Sequence, residues 1–94
     1  MIIIWTRHSE VSLDEILIYI ENKFGVLVAE KYYFEVVKTV EDIGINPEIF
    51  PIYKDETATR KAVINRKTIL YYKIQDEKIF LLAFYDVRKG FHKL

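Results

Sequence analysis

The stretch Arg60–Gly90 reads RKAVINRKTILYYKIQDEKIFLLAFYDVRKG. With Thr59 just before it, it divides into three runs rich in β-branched and aromatic residues: 59–65, 67–75 and 78–87. Such runs predict strands. The breaks at Asn65-Arg66 and Asp76-Glu77 leave room only for hairpins, although neither has the glycine that a tight two-residue turn prefers. Three strands joined this way form an antiparallel meander. In the middle run, Leu70, Tyr72 and Ile74 alternate with Ile69, Tyr71, Lys73 and Gln75, so one set is expected against a core and the other on an open side.

Upstream, the sequence supplies the cover. Ser12 and Glu15 have the spacing of a capping box, and Leu13, Ile16, Leu17, Ile20 and Phe24 follow at helical intervals, which predicts a helix opening at Ser12 and stopped by Gly25. Ala29, Tyr32, Tyr33, Val36, Val37, Val40 and Ile43 form the apolar stripe of a second helix from Val26 to Ile43, closed by Gly44, with Pro47 barring its resumption. The link at Gly25 is so short that the two helices should form an antiparallel hairpin. Ile2–Thr6 reads as a short strand, and residues 45–57, with two prolines and the polar KDET, as a loop. The order β-α-α-β-β-β predicts an α+β fold, with both helices on one face of a single antiparallel sheet. Ninety-four residues fit one domain, 1–94, and no repeat or linker interrupts it.

Composition narrows the function. Fourteen basic residues balance fourteen acidic ones, whereas a domain that binds nucleic acid by counterion release carries net positive charge. Acids dominate from Glu10 to Glu56 and bases from Arg60 to Lys93, so any basic face belongs to the last third. The absence of cysteine excludes disulfides, thiolate chemistry and cysteine-based zinc sites, and fits a cytoplasmic protein. No H-x-x-x-H spacing or carboxylate cluster suggests a metal, no Gly-rich loop suggests a phosphate-bearing cofactor, and neither is expected. No segment nears the roughly 20 apolar residues of a membrane span, and the opening MIIIWTRHSE lacks the basic start and long apolar run of a signal peptide.

The charged candidates cluster where the most apolar strand ends. Asp86, Arg88 and Lys89 follow it, and Asp86 and Arg88 stand two apart, on one side of a strand. Two readings compete: an ion pair pinning the segment, or an arginine fork aimed at a target by the carboxylate. Arg60, Tyr71 and Lys73 are expected to share a surface with that cluster, as a solvated sheet face or as a cationic and aromatic grip on a target. His8 and His92 are of the residue type that most often serves as a general base but lie near opposite ends of the chain. Ser9 and Ser12 have no triad context.

In the order and spacing of these parts the chain resembles the RelE/ParE superfamily of bacterial toxins. A short strand ending in Trp5 precedes SLDEILIYIENKF, a second amphipathic helix and the quoted meander. Within it, Tyr71-Tyr72-Lys73-Ile74 and Asp86-x-Arg88 are the most specific parts. The resemblance spans nearly the whole chain. It implies the toxin of a type II toxin–antitoxin pair of plasmid-stabilisation type, neutralised by a cognate antitoxin and touching operator DNA only through that complex. The RelE branch cleaves mRNA on the ribosome with basic residues on successive strands and a C-terminal tyrosine; the ParE branch inhibits DNA gyrase. Carried over, Arg60 falls near one lysine position, Ala62 on the next, Ile69 or Thr68 on an arginine position, and Arg88 or Lys89 on the last arginine. No tyrosine follows Gly90. The catalytic candidates are then Arg60, Lys73, Arg88 and His92, without an evident base for a 2′-OH. The expectation is a ParE-like toxin that binds its target, gyrase foremost, through Arg60, Tyr71, Lys73, Asp86, Arg88 and Lys89. An mRNA interferase and a non-toxic interaction module are the alternatives. Tyr19, Tyr32, Tyr33 and Tyr53 exceed what a small core needs and are expected at the antitoxin interface.

Overall fold

The computed structural model describes residues 1–89; Gly90 and the candidate His92 lie outside them. The elements are β1 (Ile2–Trp5), α1 (Arg7–Phe24), α2 (Val26–Ile45), β2 (Ile52–Lys54), a single 3-10 turn (Asp55–Thr57), β3 (Thr59–Ile64), β4 (Thr68–Gln75) and β5 (Lys78–Asp86). The sheet has five strands in the order β1-β5-β4-β3-β2.

The fold is α+β and the predicted meander is there, with three differences. First, the sheet is mixed: β1 runs parallel to β5, from Ile2 opposite Lys78 to Trp5 opposite Leu81. Second, Ile52–Lys54 adds a fifth strand on the edge of β3. It is three residues long, exposed at each position and preceded by Pro51, as suits an edge, and nothing in IYK alone marks it.

Third, the helix ends differ. The chain turns helical at Arg7, capped by Thr6, whose Oγ1 accepts the Ser9 N–H at 3.1 Å. Ser12 is interior to α1 and serves the sheet: its Oγ accepts the Phe84 N–H at 2.9 Å, beyond the point where β1 stops pairing with β5. Gly44 does not close α2, which runs on to Ile45. A Cβ at Gly44 would stand 3.2 Å from Ile3 Cδ1, so glycine there lets β1 pass beneath the helix. Gly25 does stop α1. Its φ of 98° with ψ of 168° is open to glycine and strained for other residues.

Both helices lie on one face. Ile16, Ile20, Val36, Ile43, Leu70, Tyr72, Ile79 and Leu81 are at most 2% exposed between the layers, each such side chain contributing about 1.5–3 kcal/mol. Trp5 stacks on Phe84, centroids 5.8 Å apart. A bulge in β5 sets which side chains face the helices near its end. Tyr71 pairs with Ala83 but Tyr72 with Leu81, so Leu82 has no residue opposite. Ile79 and Leu81 face the helices before the bulge; Phe84 and Asp86 face them after it.

Candidate functional site

The sheet face away from the helices carries an aromatic and basic surface. Register places Lys61 opposite Tyr71 and Thr59 opposite Lys73 on β3, and Ala83 and Phe80 opposite the same two residues on β5. The Tyr53 ring lies 5.4 Å from that of Tyr71, and Lys61 Nζ sits 5.2 Å from the Tyr53 centroid. Burial, with the neighbouring phenols Tyr53 and Tyr85, pushes the Tyr71 hydroxyl up, so it remains a neutral donor. The charged residues at strand positions of this face are Lys61, Lys73 and Lys78, with Lys54 opposite Thr59 at its edge; the acids Asp76 and Glu77 sit in the β4–β5 turn.

The opposite side of the molecule has the other sign. The two helices carry Glu10, Asp14, Glu15, Glu21, Glu30, Glu35, Glu41 and Asp42 against Arg7, Lys23, Lys31 and Lys38. They also expose apolar side chains, among them Ile45 at 84%, Leu27 at 80%, Phe34 at 69% and Ile18 at 61%. Leu27, Phe34, Val63 and Ile64 line a groove of about 670 Å³ between α2 and β3.

The six residues expected to form one target surface are divided by the sheet. Tyr71 and Lys73 are on the open face. Arg60 is not: it shares the inward side of β3 with Ala62 and Ile64, sits opposite Tyr72, and its Nη1 donates to the Phe50 carbonyl at 2.7 Å. Together with Tyr72 Oη, which donates to the Pro47 carbonyl at 2.8 Å, it pins the loop after α2.

Asp86 is 2% exposed and faces the helices. Arg88 Nε and Nη2 donate to its two oxygens at 3.0 and 2.8 Å, and the Arg88 backbone N–H adds a third bond at 2.8 Å. Thr68 Oγ1 lies 2.8 Å from Asp86 Oδ2 and 2.9 Å from Tyr32 Oη. A hydroxyl has one proton and an ionised carboxylate only accepts, so Thr68 donates to Asp86 and receives the proton of Tyr32. Burial pushes the Tyr32 phenol up to about 12, in keeping with that donor role. Burial would raise the Asp86 carboxyl too, but the bonds from Arg88 and Thr68 outweigh it and hold it below its usual range. Reciprocally, the bond to Asp86 raises the Arg88 guanidinium. That guanidinium lies over the rings of Tyr32 and Phe24, at 5.6 and 5.9 Å, on the helix side. Lys89 is exposed, beside the turn that its N–H closes on the Asp86 carbonyl.

Of the four tyrosines expected at a partner interface, Tyr33 and Tyr53 are open to solvent at 46% and 56%. Tyr19 is half-buried, its hydroxyl donating to the Arg88 carbonyl at 2.7 Å. Tyr32, at 3%, belongs to the core, because its hydroxyl has Thr68 as a buried partner. Tyr53 lies on the open sheet face, which also recruits Lys61, a residue whose place only the strand register identifies.

Among the described residues no group of His, Asp and Glu could hold a metal ion, and no helix is long and apolar enough to cross a membrane. No protein-family profile and no curated protein matches the sequence. Solved structures do match. A chain of the "Chromosomal ParDE TA system from P. aeruginosa" superposes with a TM-score of 0.79 at 19% identity, over 93% of this chain and 96% of that one. At that identity the likeness is one of fold, and the fold is ParE/RelE-like.

Proposed function

We propose that this chain, built on a ParE/RelE-like fold, is the toxin of a type II toxin–antitoxin pair that acts by binding rather than by cutting. Its helix-free sheet face, with Tyr71 and Lys73 at the centre and Tyr53 and Lys61 beside them, grips the target, DNA gyrase foremost. The cognate antitoxin covers the helix hairpin and the groove beside it. One observation carries this reading: two surfaces of opposite character back onto one thin domain. The first is lysine- and tyrosine-bearing; the other is acidic and studded with more exposed apolar side chains than a lone monomer usually leaves together.

The geometry favours binding over RNA cleavage. Attack by a 2′-OH needs a base and cations around the phosphorane. The strand positions of the open face offer lysines but no His, Asp or Glu. Two of the candidate cations are committed elsewhere, Arg60 to the Phe50 carbonyl and Arg88 to Asp86.

Induction of the chain in a bacterial host without antitoxin tests the proposal. Growth should stop, transcripts should stay intact, and purified gyrase should lose supercoiling activity in its presence. Tyr71→Ala and Lys73→Glu should each restore growth and leave the circular dichroism spectrum unchanged. Transcripts cut on translating ribosomes would replace the binding reading with a nuclease, and unimpaired growth would remove both.

A further inference from the structure

We infer that the cleft between α2 and the β3–β4 turn is a socket for a carboxylate, and that its occupant is an apolar protein segment carrying an Asp or Glu. The inference rests on the reading that a protein partner covers the helix hairpin, and names the chemistry of that partner.

Lys31, Lys67 and Arg88 converge on a cavity of about 240 Å³, floored by Tyr32 and Val28. Its size suits one small oxyanion and the stem that bears it. Arg88 is fixed before any ligand arrives. Asp86 takes Nε and one proton of Nη2, and the guanidinium carbon lies over the rings of Tyr32 and Phe24, 5.6 and 5.9 Å from their centroids. Among the described residues, the protons on Nη1 and the outer one on Nη2 are left for the cleft. Neither Lys31 nor Lys67 forms an ion pair among the described residues. Glu35, the carboxylate that lines the cavity beside them, takes a hydrogen bond from the Asn65 side-chain amide and forms an ion pair with neither lysine. Three cations thus face Glu35 and the buried Asp86, leaving a surplus of one positive charge. A single carboxylate cancels it, and charge-assisted bonds to a pre-oriented guanidinium are the stronger kind.

The neighbourhood selects the source of that carboxylate. The socket shares Lys31, Glu35 and Asn65 with the 670 Å³ groove lined by Leu27, Phe34 and Val63. A segment with apolar side chains in the groove therefore delivers its next acidic residue to the socket. A nucleic-acid strand suits the site poorly: its backbone would lie along an apolar groove and over helices with twice as many acids as bases.

The test uses the chain alone and synthetic helical peptides of about 16 residues, roughly 24 Å long as helices. They carry leucines on one face and a single Glu moved through the last turns, each with a Gln twin. Fluorescence anisotropy at low salt should find one Glu position that binds about tenfold more tightly than its twin. The Lys31→Gln/Lys67→Gln double variant should abolish the difference and leave the affinity for the Gln peptide unchanged. A single-stranded oligonucleotide should not compete. No Glu preference at any position, a preference that survives the double variant, or lysine-dependent competition by the oligonucleotide would each overturn the socket. Because growth is not the readout, a toxic chain without Glu preference sinks only this inference. A harmless chain that shows the preference sinks only the toxin reading.

Discussion

Asp86 accepts three hydrogen bonds from Arg88, two from the guanidinium and one from the backbone, all at 3.0 Å or less. The two partners are not equally enclosed: the Asp86 side chain is 0% exposed and that of Arg88 20%. Arg88 can reach water if it loses its partner, and Asp86 cannot. The pair therefore fixes a turn at the end of β5 and presents the outer edge of the guanidinium to the helix side.

That asymmetry predicts unequal costs. Arg88→Ala strands a buried carboxylate and should destabilise the fold by about 3–5 kcal/mol in urea titrations at neutral pH. Asp86→Asn keeps an acceptor for Thr68 and frees Arg88 to turn outward, for about 1–3 kcal/mol. Equal losses would mean that Asp86 is hydrated in solution.

The same pair sets an acid dependence. The Asp86 carboxyl is held below its usual range in the folded chain, by bonds that overcome burial. Its contribution is therefore fully present above the unfolded value, about 3.9, and disappears as pH falls through the lower folded value. The stability gap between the wild type and Asp86→Asn should stay constant from neutrality to about pH 4 and close below it. A gap that widens on acidification would reverse the sign assigned to this group.

Why was Asp86 legible as a partner of Arg88 but not as a buried one? Two-residue periodicity gave the pair, and the inward set Leu70, Tyr72 and Ile74 as well. Counted without interruption from Ile79 and Leu81, it turns Ala83 and Tyr85 inward and Asp86 out. The bulge at Leu82 reverses that, and KIFLLAF, apolar at nearly every position, carries no mark of it. Arg60 failed for a related reason. A two-residue turn at Asn65-Arg66 pairs Arg60 with Tyr71, but Ile64 pairs with Thr68, leaving Lys67 in the connection as well, so Lys61 takes that place. A slip of one residue exchanges the faces of a strand. The helix hairpin was readable because its stripes extend over several turns and Gly25 has one backbone role.

The turns themselves carry strain. Asn65 and Arg66 have φ of 44° and 70°, Asp76 and Glu77 of 53° and 60°. Asn and Asp tolerate the left-handed region; Arg and Glu adopt it at a cost of about 1 kcal/mol or more. Arg66→Gly and Glu77→Gly should therefore each raise stability, by about 0.5–1 kcal/mol after glycine's larger unfolded entropy is counted. Chemical denaturation checks this, and a loss in both variants would mean that neither turn holds both residues at positive φ.

The start of α1 offers a contest between two assignments of one serine. A capping box would make Ser12 and Glu15 mutually dependent, so that removing either frays the helix. In the fold, Thr6 is the cap, and its hydroxyl also donates to the Leu81 carbonyl at 2.7 Å, tying helix to sheet. Ser12 is the acceptor for the Phe84 N–H, and Glu15 points to solvent. Thr6→Ala should cost about 0.5–2 kcal/mol. Ser12→Ala leaves a part-buried N–H without its acceptor and should cost about 1–3 kcal/mol. Glu15→Ala should fall within about 0.5 kcal/mol of the wild type, as an exposed substitution with no such role does. Hydrogen exchange separates the causes: Ser12→Ala should speed exchange of the Phe84 amide in β5 and leave the first turn of α1 protected. Faster exchange of the Glu15 amide, with Phe84 unchanged, would restore the capping-box assignment.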